Sequence, residues 1–158
     1  MKPMYRILIV DDEENVRLML ETAFTLSGHQ TLNARNGKEA LRLFRESQPD
    51  VVLMDIRMPE LNGLDALSRM QEINPKIPVV LMTAYAAVET AVEALRNGAF
   101  DYVIKPFNPS EVVARVEAVL RRTKPALQQA GSQPLRTPFI TVYPDDFYVE
   151  VTVGAEVE

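Results

Sequence analysis

Four acidic side chains, Asp11, Asp12, Glu13 and Glu14, follow directly on the apolar run Ile7 to Val10. A further carboxylate, Asp55, closes a second apolar run, while Thr83 and Lys105 close two more. Carboxylates, a hydroxyl and an ammonium can hold a metal through oxygen and can work on phosphoryl groups. The chain has no cysteine, which excludes disulfides, thiolate metal sites and thiol nucleophiles. Three carboxylates brought close together raise one another's pKa unless a cation neutralises them. Two or three such ligands without a cage of further acids favour Mg²⁺, which keeps waters and takes a phosphate oxygen, over Ca²⁺. A carboxylate can itself be the nucleophile, giving an aspartyl phosphate, with positioned cations and donors matching the charge of the transferring group. Lys105 offers a compact positive charge and Thr83 a hydroxyl donor. Ala84 is small enough to let its backbone N–H approach a phosphoryl oxygen.

For these groups to meet, the chain must bring the ends of distant segments to one place. Five short runs alternate with helix-period segments, the pattern of an α/β domain with a parallel sheet. The runs are Arg6 to Val10, Gln30 to Ala34, Val51 to Met54, Val79 to Met82 and Tyr102 to Ile104. The first, third and fourth are apolar almost throughout, as strands covered on both faces are. The second carries Gln30, Thr31 and Asn33 and reads as an edge strand. Between the runs, each helical segment shows one apolar stripe: Val16, Leu20, Ala23, Phe24 and Ser27; Ala40, Leu41 and Phe44; Leu64, Leu67 and Met70; Val88, Ala91, Val92 and Leu95. The last helix opens with Asn108 as cap, Pro109 at its first position and Glu111 placed to reach back, and its stripe is Val112, Val116 and Val119. In an open parallel sheet the functional crevice lies beyond the carboxyl ends of the strands. Asp11, Asp12, Asp55, Thr83 and Lys105 all stand there.

Each residue has a plainer reading when taken alone. An acid pair after a strand caps the next helix, Thr83 is a strand-end hydroxyl, and Tyr102 is a core aromatic. Their joint placement with Asp55 and Lys105 favours the metal and phosphoryl reading. Gly63 after Asn62 reads as a turn glycine and Pro59 as a loop breaker. His29, after Gly28, reads as a loop or strand-edge residue, not a ligand, and the methionines read as core filler or loop.

Composition bounds the setting. The 158 residues, 47% hydrophobic and 25% charged, suit a soluble domain with an appendage. The longest aliphatic runs are too short to span a membrane and the start lacks a signal-peptide apolar region, so the expected location is the cytoplasm. Of the net charge of −5, residues 123–158 carry −3 and the remainder −2. Neither part has the basic face that contact with nucleic acid requires.

Four ordered stretches now carry a resemblance. Through "ILIVDDEENVR", "DVVLMDIRMPELNGLDAL", "VVLMTAY" and "GAFDYVIKPF", residues 4–122 resemble the receiver domain of two-component response regulators, of the CheY-like superfamily. The last two motifs look most like receivers of nitrogen-regulation-class activators. The resemblance implies a doubly wound five-stranded parallel sheet in the order 2-1-3-4-5, with helices on both faces; that order is not a reading of the spacing. It implies that Asp55 is the phosphoacceptor, served by a sensor histidine kinase or a phosphotransfer protein. Asp12 would bind Mg²⁺ directly and Asp11 mainly through water, with Asp55 and the backbone carbonyl of Arg57 completing the set. Thr83, Ala84 and Lys105 would bind the phosphoryl group, Thr83 and Tyr102 would form a switch pair, and Arg57 and Tyr85 would tune the lifetime of the phosphorylated form. The Lys105-Pro106 bond is typically cis in the family. A phosphorylation-dependent homodimer through the fourth helix, fifth strand and fifth helix is a further implication. The expected activity is that of a phosphoacceptor with Mg²⁺-assisted self-phosphorylation and self-dephosphorylation, not of an enzyme on other substrates.

Residues 123–138, "TKPALQQAGSQPLRTP", read as a linker, with Pro125, Gly131, Pro134 and Pro138 breaking any helix. Residues 139–158 read as a β-hairpin: Ile140 and Val142 alternate before a Pro144-Asp145-Asp146 turn, and Val149, Val151 and Val153 alternate after it. The favoured function is a phosphorylation-controlled signalling module, stand-alone or the regulatory receiver of a longer transcriptional activator. A metal-dependent phosphatase with an aspartate nucleophile is disfavoured, because haloacid-dehalogenase-like enzymes want DxDx[TV] where this chain reads Asp11-Asp12-Glu13-Glu14-Asn15. A pure interaction scaffold would tolerate loss of the acidic site, which here is whole.

Overall fold

A computed structural model describes residues 3–84, 88–124, 135–136, 140–143 and 148–151, which fall into two compact units, Met1–Thr123 and Lys124–Glu158. In the first, strands β1 (Arg6–Val10), β2 (Gln30–Ala34), β3 (Val51–Asp55), β4 (Val79–Thr83) and β5 (Asp101–Ile104) alternate with helices α1 (Glu14–Leu26), α2 (Gly37–Ser47), α3 (Gly63–Ile73), α4 (Val88–Arg96) and α5 (Pro109–Thr123). The strands form one parallel sheet in the order β2-β1-β3-β4-β5, so the expected fold class holds and the polar Gln30–Ala34 run is an edge strand. β3, β4 and β5 are each one residue longer than their apolar runs. Asp55 pairs with Met82 and Thr83 with Ile104, so both site residues belong to the ladder and do not merely follow it.

Strand alternation divides the core in two. Leu8, Val10, Val52, Met54 and Leu81 point to one face, where α2 and α3 lay Ala40, Leu41, Phe44, Ala66, Leu67 and Met70. Ile7, Ile9, Val51, Leu53, Val80, Met82 and Val103 point to the other, against Leu20 and Phe24 of α1 and Val112, Val116 and Val119 of α5. Full burial of β1, β3 and β4 on both faces explains why those strands lack polar alternation.

Two readings of the sequence are corrected. In α4, Val92 and Leu95 do not form the buried stripe; they are exposed, and Ala94 faces the core instead. Among the described side chains of α4, Ala94 packs against the core while Val92 and Leu95 stay outside; the side chains of Val88 and Ala91 lie outside the described ones. Gly63 is not a turn glycine: it is the first residue of α3, whose N-cap Asn62 accepts a hydrogen bond from the Asp65 N–H. A Cβ at Gly63 would stand 2.3 Å from the Asp55 carbonyl oxygen, so the glycine is required for close approach of helix to strand. His29 lies in the loop directly before β2, as expected, and its side chain is built into the core. It is 4% exposed, its Nδ1 accepts from the Tyr5 N–H at 3.2 Å, and its Nε2 lies 3.1 Å from Glu117 Oε2, tying the start of β1 to α5. At α5 the Asn108 side chain accepts from the Ser110 N–H, and Glu111 pairs with Arg115.

In the second unit β7 (Ile140–Tyr143) pairs antiparallel with β8 (Tyr148–Val151). β6 (Leu135–Arg136) adds to the other side of β7, inside the segment read as linker. A third strand covers an edge that a two-stranded hairpin leaves open. The turn at 144–147 and Val153 lie outside the described residues. No helix among the described residues is long and apolar enough to cross a membrane.

Candidate functional site

Parallel register does the assembling. Val10 is level with Met54, so the next residues, Asp11 and Asp55, emerge side by side from neighbouring strands. β4 and β5 flank them, with the Lys105 N–H donating to the Thr83 carbonyl at 2.7 Å. One carboxylate oxygen from each of Asp11, Asp12 and Asp55 lies within 4.8 Å of the others. Asp11 is fully buried, Asp55 nearly so, and Asp12 exposed.

The ammonium of Lys105 spans the pair. Its Nζ donates to Asp11 Oδ2 at 2.7 Å and to Asp55 Oδ2 at 3.4 Å. Asp11 Oδ1 accepts from the Glu13 N–H at 2.9 Å, and Asp55 Oδ1 from the Arg57 N–H at 3.4 Å. Burial pushes the Asp55 carboxyl above the usual carboxylate range. Lys105 opposes that shift and the Asp11 charge adds to it. Burial also works against the Lys105 ammonium, but its bonds to Asp11, with the charges of both carboxylates, outweigh it and raise its pKa. A desolvated carboxyl crowded by a second carboxylate gains from a further cation. The donor set is all oxygen, carboxylates with an open side at Asp12, and suits a hard divalent ion that retains waters. The residues therefore fit Mg²⁺.

Thr83 is buried at the end of β4, and Ala84 follows it exposed. Tyr102 is half-buried on β5, level with Leu81, and its carbonyl accepts from Arg115 Nη1 at 3.3 Å. By strand alternation Thr83, Tyr102 and Ile104 share the sheet face that Leu81 occupies, the face of α3 and α4. Arg57 is exposed in the loop after β3, and the peptide bond between Lys105 and Pro106 is cis. Tyr85 lies outside the described residues. Two features went unread in the sequence. Arg17 Nη1 donates to the Asp11 carbonyl, a tertiary bond with no local signature. Asn36 caps α2, accepting from the Glu39 N–H at 2.9 Å; its signal, Asn followed three residues later by Glu, was present.

A doubly wound parallel sheet with an acidic, lysine-bridged pocket beyond its strand ends is the class these observations define. The response regulator receiver domain family matches residues 7–117, and the chain belongs to that family. The regulatory protein AtoC of Escherichia coli K12 is 62% identical over 116 residues, which are 73% of this chain and 25% of AtoC. A receiver domain protein from Clostridium thermocellum superposes with a TM-score of 0.73 at 30% identity, covering 78% of this chain and 99% of that one. NtrX from Brucella abortus gives 0.75 at 32% identity, covering 78% of this chain and 28% of NtrX. The chain thus spans about a quarter of AtoC and of NtrX. The likeness to receivers of nitrogen-regulation-class activators is borne out by these two. Membership makes the domain a phosphoacceptor of two-component signalling, which implies interaction with histidine kinases or other phosphodonors. Receivers generally bind Mg²⁺ at an acidic pocket.

Proposed function

We propose that Asp55 accepts the phosphoryl group of a phosphohistidine on a sensor histidine kinase or phosphotransfer protein. A carboxylate oxygen of Asp55 forms the new P–O bond as the P–N bond to the donor's imidazole breaks, and the imidazole keeps the bonding pair. The observation that carries this reading is the buried Asp55 held among Asp11, Asp12 and Lys105 at the ends of adjacent strands. Asp12 directly, Asp11 through water, Asp55 and the Arg57 carbonyl would hold Mg²⁺. When bound, the ion supplies positive charge for the carboxylates and for the incoming phosphoryl oxygens. Lys105 would turn its ammonium from the Asp55 carboxylate to a phosphoryl oxygen, and the Thr83 hydroxyl with the Ala84 N–H would donate to the others. Hydrolysis by water at the same site returns the free carboxylate. Arg57 and Tyr85, two positions after Asp55 and Thr83, would set how fast that happens.

The Thr83 hydroxyl is drawn toward the phosphoryl group, vacating space on the shared face into which Tyr102 turns. That alters the surface of α4, β5 and α5, the surface on which a second copy or an output partner docks. Moving such a switch from 1:99 to 99:1 requires about 5.5 kcal/mol of preferential binding to the active state. As a second reading, the chain is the regulatory receiver of a longer activator; the fraction of AtoC and NtrX it spans favours it. Residues 4–122 would be the receiver in either case, followed by a linker at 123–138 and a C-terminal β element at 139–158.

Incubation with Mg²⁺ and acetyl phosphate tests the proposal. Parent protein takes up one acid-stable, base-labile phosphate and Asp55→Asn takes up none, while Thr83→Ala is labelled but loses any phosphate-dependent dimerisation. Equal labelling of Asp55→Asn at the same site refutes the acceptor assignment, and rapid turnover with no phosphoprotein accumulating favours a phosphatase.

A further inference from the structure

Arg17 sits one turn into α1, half-buried. Its Nη1 donates to the main-chain carbonyl of Asp11 at 2.6 Å, and its own backbone N–H donates to the Glu13 carbonyl at 3.2 Å. The Asp11 carbonyl belongs to the peptide plane whose nitrogen is that of Asp12. Because a peptide plane is rigid, holding its oxygen also fixes the direction in which Asp12 leaves the strand end. The remaining polar groups of Asp11 are held as well: its N–H donates to the Ala34 carbonyl at 3.2 Å, and its two carboxylate oxygens accept from Glu13 and Lys105. Asp12 is the exposed member of the triad, so its placement depends on the plane behind it. A guanidinium hydrogen bond is charge-assisted and directional, suited to that task.

We infer that Arg17 is a positioning residue for the divalent-cation site, gripping the Asp11–Asp12 peptide so that both carboxylates face Asp55. The inference rests on the proposed metal site. Charge and position make opposite predictions. A guanidinium bonded to the Asp11 carbonyl repels a cation entering beside it, so if its charge were all that mattered, removing it would tighten metal binding. If its grip on the peptide matters, removing it loosens binding, and loss of such an outer partner costs about 10-fold in metal affinity.

The test uses the full chain and Mn²⁺ as a paramagnetic probe, with free ion counted by electron paramagnetic resonance. Far-UV circular dichroism checks that each variant is folded at the temperature of measurement. Arg17→Ala binds Mn²⁺ about 10-fold more weakly than parent, and Arg17→Lys, which keeps a donor and the charge, recovers part of the loss. Should Arg17→Ala not fold, Arg17→Met keeps the aliphatic stem and serves as the same arm. A purely structural role leaves the affinity of the folded variant unchanged, so unchanged or tighter binding overturns the inference. A parent protein that binds no Mn²⁺, or binds it equally after Asp12→Asn, overturns the metal site itself and the inference with it.

Discussion

Replacing Lys105 with Met removes a charge from between two buried carboxylates while keeping most of the side chain's length. Lys105 Nζ lies 2.7 Å from Asp11 Oδ2 and 3.4 Å from Asp55 Oδ2. Without it the two acids face each other with one backbone N–H apiece. Removing one partner of a buried ion pair costs about 3–5 kcal/mol. Protonation sets a ceiling: from the ordinary Asp value of 3.8, taking up one proton at pH 7 costs about 4 kcal/mol, and one proton turns a repelling pair into a sharing one. The expected loss at pH 7 without divalent metal is therefore about 3–4 kcal/mol. Asp55 already titrates above its unfolded value in the parent, and the variant moves it further in that direction. A raised carboxyl makes the folded state the better proton binder, so the variant regains stability as the pH falls through the raised value toward the ordinary one. By pH 4.5 the same ceiling is about 1 kcal/mol. Guanidinium unfolding followed by far-UV circular dichroism in EDTA, at pH 7 and pH 4.5, measures both gaps. Adding Mg²⁺ at pH 7 narrows the first, because a second source of positive charge enters the pocket. Equal stability of variant and parent at pH 7, or a gap of the same size at both pH values, would refute the reasoning.

Two further predictions concern the backbone around the site. Gly63→Ala sets a Cβ 2.3 Å from the Asp55 carbonyl, forcing α3 away from β3. It destabilises by about 3 kcal/mol and slows labelling of Asp55 by acetyl phosphate; a thermal midpoint within a degree of parent would contradict the close approach. Gln48, the C-cap of α2, has φ +44, so Gln48→Gly relieves left-handed strain and stabilises by about 0.5 kcal/mol after the glycine's greater unfolded-state entropy is counted. A lower midpoint in urea would contradict that assignment.

The strands were legible because burial on both faces leaves no room for polar residues: Ile7 to Val10 and Val79 to Met82 could hardly be anything else. The site was legible because its acids, threonine and lysine each end such a run, so their convergence follows once the strands are neighbours. α4 misled because its apolar residues lie on both sides of the helix. Periodicity counts Val92 and Leu95, whereas packing selects Ala94. The tertiary bonds of His29 and Arg17 were illegible for another reason. Their partners, the Tyr5 N–H, Glu117 and the Asp11 carbonyl, are fixed by tertiary contact, and main-chain groups leave no mark in a sequence. Asn36 and Asn62 carried local capping signals that hydrophobic patterning overlooks.

The bond between Lys105 and Asp11 joins residues 94 positions apart, and Asp55, the proposed acceptor, lies between them in sequence but on the central strand of the sheet. No amino-terminal fragment that stops before β5 contains the whole pocket, whatever secondary structure it has formed. A polypeptide emerging from the ribosome consequently lacks the proposed phosphoryl-receiving pocket until β5 and Lys105 have been made, so the proposed competence of Asp55 requires all five strands.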